Sequence, residues 1–279
     1  MTEYSFRQVD VFTGVGLRGN PLAVVLGADG ISEKTMAEFA NWTNLSETTF
    51  LLKPTAPSAD YRVRIFTPDR ELPFAGHPTL GSCHVWLNAG NKPKQAHIVQ
   101  ECAAGLIRIK RGADRLAFAA PPLLRGGEVD GATLDKIARA LSIGRDEIKA
   151  AQWADNGPGW VAVMLASRAQ VLALRPDYAV LAGQHLGVVG PWDAASDGRD
   201  ADFEVRAFMA VRGAEDPVTG SLNASLGQWL IGARLAPPSY TASQGTVLGR
   251  AGRVYVEKLG EDVWVGGQTV ICIDGTVRL

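Results

Sequence analysis

Pro73-Phe74-Ala75-Gly76-His77-Pro78-Thr79 and, much later, Asp216-Pro217-Val218-Thr219-Gly220-Ser221 follow one logic: a turn feeds a helix through glycine and a small residue. Glycine lets a ligand approach the backbone, and Pro78 suits a first helical position. Around these junctions, residues 72–91 and 217–233 contain no Lys, Arg, Asp or Glu. A membrane-spanning helix needs about 20 predominantly apolar residues. These stretches instead carry His77, Pro78, Thr79, Asn88 and Thr219, Ser221, Asn223, Ser225, Gln228. They read as helices buried inside protein, not in lipid. A helix N-terminus presents free N–H groups and the positive end of the dipole, a natural carboxylate or phosphate site. Two such ends facing one another would clamp one anionic substrate. Plain Gly/Pro starts of two core helices fit the same residues.

Outward from the first junction, the pattern predicts strands over Phe6–Phe12, Leu22–Leu26, Thr48–Leu52 and Tyr61–Phe66, rich in β-branched and aromatic residues. A helix between them has Ser32 as N-cap and Met36, Phe39 and Ala40 on one face. Around the second junction the order repeats. A helix at about Leu134–Leu141 and strands at Trp160–Leu165 and Phe203–Met209 precede the helix that starts near Gly220. Short strands close the chain at Val254–Glu257, Val263–Val265 and Val270–Ile273. Both uncharged helices place a tryptophan two to three turns in, Trp86 and Trp229. The Pro/Gly-rich run Ala119-Ala120-Pro121-Pro122-Leu123-Leu124-Arg125-Gly126-Gly127 punctuates the chain between these halves. We read an α/β fold of two similar domains, 1–121 and 122–268.

Composition narrows the function classes. With 279 residues, 46% hydrophobic, 20% charged and a formal net charge of −1, the chain has the make-up of an ordinary soluble globular protein. Nothing in that balance calls for nucleic acid or an anionic membrane as partner. The first residues, Met1-Thr2-Glu3-Tyr4-Ser5-Phe6, are acidic and already strand-like, without a secretory signal. Cys83, Cys102 and Cys272 are odd in number and lack C-x-x-C spacing, which fits a reducing cytosol and argues against disulfides or structural zinc. All three read as small buried hydrophobes. P-loop, Rossmann, H-E-x-x-H and G-x-S-x-G motifs are absent.

Among candidate chemical groups, Glu47 stands alone, with no other charged residue between Glu38 and Lys53. A carboxylate entering a buried strand is partly desolvated and suited to general acid/base work. On the local sequence alone, an exposed strand-end glutamate is the plainer reading. His77 sits in the first junction, whereas His84, His97 and His185 read as ordinary core or surface residues without metal-ligand spacing. Asp216 is either a turn residue or a polar group turned into a cleft.

Taken in order, these residues resemble a known family. Phe6–Phe12, Arg18-Gly19-Asn20-Pro21, Ala23-Val24-Val25, Leu45-Ser46-Glu47-Thr48-Thr49-Phe50, Phe66-Thr67-Pro68, Glu71–Gly81 and Asp216–Ser221 are similar to the phenazine-biosynthesis isomerase-like family across nearly the whole chain. The resemblance implies the diaminopimelate-epimerase-like fold, in which each domain wraps a curved mixed sheet around a central helix. It implies that the last strand, within residues 269–279, returns to the first domain. It also implies an active site in a cleft between domains, a cytosolic homodimer, and catalysis without metal or organic cofactor. Carried over, Glu47 is the acid/base that moves a proton on a dihydro-hydroxyanthranilate-like carboxylate. His77 and Asp216 hold the substrate's polar groups, and Gly76, Gly220 and Ser221 bind its carboxylate. Related racemases of this fold use one Cys from each domain at these junctions, and neither loop here has one. An amino-acid epimerase or racemase and a non-catalytic carboxylate-binding protein are the rival readings.

Overall fold

The first strand, β1 (Glu3–Val11), pairs antiparallel with β2 (Asn20–Val25), placing Asp10 opposite Pro21 and Val11 opposite Asn20. Helix α1 (Glu33–Thr43) starts where Ser32 Oγ accepts the Thr35 N–H at 3.1 Å. It stops at Asn44, whose φ of 54° is left-handed, a conformation Asn tolerates better than most residues. The face carrying Met36, Phe39 and Ala40 packs on Phe50 and Phe66, which belong to β3 (Thr48–Leu52) and β4 (Tyr61–Phe66). Each large apolar side chain buried here contributes about 1.5–3 kcal/mol. After β5 (Glu71–Leu72), helix α2 spans Gly76–Asn88, followed by β6 (Ile98–Cys102), β7 (Gly105–Arg111) and β8 (Leu116–Ala119).

The chain continues through α3 (Gly131–Leu141), β9 (Ala150–Trp153), β10 (Trp160–Met164), α4 (Arg168–Ala173), α5 (Tyr178–Leu181) and β11 (His185–Pro191). Then come β12 (Phe203–Met209), β13 (Ala214–Asp216) and helix α6 (Gly220–Gly232). The chain ends with β14 (Ser239–Gln244), β15 (Gly252–Leu259), β16 (Asp262–Gly267) and β17 (Thr269–Arg278). The computed structural model describes all of residues 1–279. The chain parts into two units, residues 1–119 with 266–279, and residues 120–265.

Strand pairing shows that one plan is used twice. In the first unit β1/β2 is antiparallel, β2/β3 parallel, β3/β4 and β4/β5 antiparallel, β4/β6 parallel and β6/β7 antiparallel. In the second, β9/β10, β10/β11, β11/β12, β12/β13, β12/β14 and β14/β15 repeat that series step for step. The last strand, β17, pairs antiparallel with β1 and so belongs to the first unit.

Each unit wraps its strands around one uncharged helix, which explains why those helices need no polar face. α2 lies so close to β1 and β2 that a Cβ on Gly81 would stand 2.5 Å from Leu22 Cδ2 and 3.0 Å from Val11 Cγ2. α6 repeats the device, with Gly227 2.7 Å from Val256 Cγ1 and 3.0 Å from Val263 Cγ1 by the same measure. No helix of the chain is long and apolar enough to cross a membrane. Cys83 and Cys102 are buried, as read from the sequence, but Cys272 is exposed. It lies on β17, where Cys272, Ile273 and Asp274 are successive exposed residues, so apolar character there does not mark a core position.

Candidate functional site

In the first unit the site begins with a loop. β1 turns at Phe12, whose φ of 65° is an uncommon and strained value for a bulky residue. Asp10 Oδ2 then accepts the N–H groups of Arg18 and Gly19 at 2.7 and 2.9 Å. Gly19 must be glycine, because a Cβ there would collide with the Val11 carbonyl oxygen. This closure delivers Asn20 and Pro21 to the start of β2 beside the α2 N-terminus. Asn20 Nδ2 lies 3.5 Å from His77 Nδ1, and the Pro21 carbonyl also accepts from the His77 ring.

His77 is the second residue of α2, which opens at Gly76, two residues earlier than the proline suggests. Pro78 is therefore third, still within the turn whose N–H groups have no intrahelical partner. The N-cap, Ala75, has no side-chain acceptor to cover that turn. Burial pushes the His77 imidazole down to about 3, against the upward pull of its bond to Pro21, so the ring is neutral at physiological pH. Glu47, on the residue before β3, brings Oε2 to 3.4 Å from His77 Nε2, and its side chain keeps 16% of its surface accessible. A carboxyl group that remains reachable, set against a neutral imidazole at a helix N-terminus, can take up and release a proton with its proton-bearing form hydrogen-bonded.

Behind this corner α2 is locked in place by buried polar contacts. Ser82 Oγ donates to Thr49 Oγ1 at 2.9 Å, and Gln100 Nε2 donates to Thr79 Oγ1 at 2.9 Å. Tyr61 donates to Gln100 Oε1 at 3.0 Å. His84 pairs with Asn88 at 3.2 Å, His97 is exposed and His185 lies against Trp160, so none of the other histidines joins the corner.

The second unit holds the other predicted residues. Asp216 ends β13, and its Oδ2 accepts the Thr219 hydroxyl at 2.5 Å. Thr219 is the N-cap of α6 but makes no capping bond with its side chain, which is spent on Asp216. Gly220 opens the helix, and Ser221 follows with its Oγ accepting from Trp160 Nε1 at 3.1 Å. Asn156 Nδ2 donates to the Ser221 carbonyl at 2.9 Å. Because an indole N–H only donates, the Ser221 hydroxyl is held as an acceptor on that side and turns its own proton elsewhere.

Sequence reading thus named Glu47, Gly76 and His77, which the first unit gathers, and Asp216, Gly220 and Ser221, which the second gathers. It assigned no role to Asn20, Thr219, Trp160 or Gln244, the last a buried residue at the end of β14 that bonds the Thr219 N–H and hydroxyl. Asn20 and Thr219 lay within quoted motifs, so proximity to the named residues was the available signal. Gln244 and Trp160 are strand residues far from either junction in sequence, without such a signal. No group of three or more His, Cys, Asp or Glu side chains is arranged to hold a metal ion.

Comparison with known proteins agrees with this architecture. A family model described as "Phenazine biosynthesis-like protein" matches residues 9–275. A fission yeast (Schizosaccharomyces pombe) relative named antisense-enhancing sequence 1 is 38% identical, with 99% of each chain covered. The trans-2,3-dihydro-3-hydroxyanthranilate isomerase of Pseudomonas chlororaphis is 34% identical over 76% of this chain and 74% of its own. The crystal structure of a PhzF-family phenazine biosynthesis protein from Enterococcus faecalis superposes with a TM-score of 0.82 at 26% identity, covering both chains completely. The fold is the diaminopimelate-epimerase-like one, and the chain belongs to the PhzC-PhzF family of phenazine biosynthesis-like proteins, as an isomerase of that family.

Proposed function

We propose that this isomerase moves a proton between carbons of a small carboxylate-bearing acid of the dihydro-hydroxyanthranilate type, with Glu47 as the acid/base. The observation that carries the reading is the Glu47–His77 contact at the N-terminus of α2. The Glu47 carboxylate takes a proton from an sp³ carbon, the C–H electron pair spreads into the conjugated carboxylate, and the same carboxyl returns the proton to another carbon. Atoms and electrons balance without an oxidant. His77, neutral, accepts a hydrogen bond from Glu47 in its protonated state or steadies a polar group of the substrate. Asp216 holds a polar substituent, and Gly76, Gly220 and Ser221 bind the carboxylate through N–H groups and a hydroxyl, opposing the charge that builds there. We place the working enzyme in the cytosol as a homodimer, which sedimentation equilibrium reads directly. The deciding experiment follows such an acid by NMR in D₂O with wild type and Glu47→Gln. A constitutional isomer formed only by the wild type supports the proposal. A stereoisomer with deuterium at the original carbon points to a racemase, and no reaction at all points to a binding protein.

A further inference from the structure

Gln244, the last residue of β14, is wholly buried and uses both ends of its amide. Oε1 accepts the Thr219 N–H at 3.0 Å and Asn223 Nδ2 at 2.9 Å. Nε2 donates to Thr219 Oγ1 at 2.9 Å and to the Asp216 carbonyl at 3.2 Å. Asn223 Nδ2 also donates to the Thr219 carbonyl at 2.9 Å, which fixes that amide in turn. Reversing the Gln244 amide would set its NH₂ against two donors and its oxygen against the Asp216 carbonyl, so its orientation is determined. With an N–H already pointing at Thr219 Oγ1, the hydroxyl's single proton is committed to Asp216 Oδ2. The hydrogen bonds therefore run one way, from Gln244 through Thr219 to Asp216.

We infer that Gln244 is a positioning residue for substrate binding. It clamps the turn from Asp216 to Thr219 so that the Asp216 carboxylate stays an acceptor and the first peptide groups of α6 keep their aim. The inference rests on the reading of Asp216, Gly220 and Ser221 as substrate-binding groups. A buried glutamine that merely satisfies its own amide is the plain alternative, and the first unit supplies the comparison. Gln100 bonds Thr79 across 21 residues, and Gln244 bonds Asn223 across the same 21. Gln100, however, is occupied by Tyr61 and the interior of α2. Only in the second unit are three of the four bonds turned onto the junction itself.

The test uses the full chain with Gln244→Met, which keeps the shape and removes every bond, and Gln244→Glu, which keeps the acceptors and removes the donors. KM for the acid should rise about ten-fold or more while kcat stays within about three-fold, since the bonds of Gln244 go to Thr219, Asn223 and Asp216 and none reaches Glu47. Amide exchange at Thr219 should accelerate in the Met variant by about 100-fold at unchanged global protection. Unchanged KM in a folded variant, or a fall in kcat alone, overturns the inference. If Gln244→Met does not fold, Gln244→Glu decides by the same split. A wild type inert toward the acid would overturn the functional reading alone, and Thr219 exchange unaltered by the substitution would then overturn the clamp.

Discussion

Glu47 Oε2 sits 3.4 Å from Nε2 of His77, although 30 positions separate the two residues in sequence, and the imidazole there is too deeply buried to carry a charge at neutral pH. The pair is therefore one carboxyl group with a neutral partner, not a fixed ion pair. Substituting Glu47→Gln preserves shape and reach but removes the proton carrier. Turnover should fall by about 10²–10⁴-fold while binding of a substrate analogue survives. Calorimetric titration beside steady-state kinetics checks both halves.

The same burial makes His77 a liability in acid. Its folded-state value, about 3, lies below the ordinary 6.5, so protonation favours the unfolded chain. The stability it contributes is complete above about pH 6.5 and is lost as the pH falls toward 3. Relative to His77→Gln, the wild type should lose up to about 1.4 kcal/mol per pH unit across that window. Urea unfolding of both proteins from pH 7 to 4 measures the difference, and parallel curves would count against a buried neutral ring.

Thiol chemistry should be confined to one position. Cys83 is buried, and desolvation pushes its thiol up to about 12, whereas Cys272 is exposed on β17. Iodoacetamide applied to the native protein should label Cys272 and spare Cys83 and Cys102, with activity retained. Peptide mass spectrometry locates the label. Stoichiometric inactivation through a single thiol would instead revive a cysteine-based racemase mechanism.

Gly19 tests how the first-unit corner is assembled. Gly19→Ala drives a methyl group into the Val11 carbonyl and disturbs the two N–H bonds to Asp10 that deliver Asn20 and Pro21 to His77. Overpacking of this kind costs about 1–3 kcal/mol, and activity should fall further than stability alone explains. Thermal unfolding and kcat/KM measured together separate the two effects.

Trp160→Phe takes the indole N–H from Ser221 Oγ and leaves a smaller ring in the buried place beside His185. The lost volume lowers stability, which thermal unfolding reads separately from binding. A neutral hydrogen bond contributes about 0.5–1.5 kcal/mol, so KM should rise roughly three- to ten-fold with kcat nearly unchanged. An equal KM would show that the Ser221 hydroxyl needs no orienting.

The parts of this molecule that could be read from sequence are those where local chemistry and tertiary context agree. Thr48–Leu52, Tyr61–Phe66 and Phe203–Met209 are rich in β-branched or aromatic residues and fully strand, and Ser32 caps α1 through the bond its position suggests. Gly220 opens α6 as expected, whereas Gly76 opens α2 before Pro78 because proline is tolerated throughout a first turn. β14 escaped notice because its buried residues include Ser243 and Gln244, polar side chains that only their partners make compatible with a core. Gln244 is for that reason absent from the residues read as functional. Short α4 and α5 lack the length for a periodic pattern and exist through the caps Ser167 and Asp177.

The strand β17 also bears on how this protein is made. Residues 120–265 form one contiguous unit, but the first unit is split, and its first strand pairs with the chain's last. On the ribosome, β1 emerges early and must keep one edge unmatched until residues near 270 have been synthesised, while the later unit can already be complete. A loop spanning nearly the whole polypeptide then has to close to pair Glu3 with Arg278, a slow, high-contact-order event. A chain interrupted before Thr269 would therefore have a finished second unit and a first one with an open edge on β1, the form expected to aggregate and to recruit chaperones.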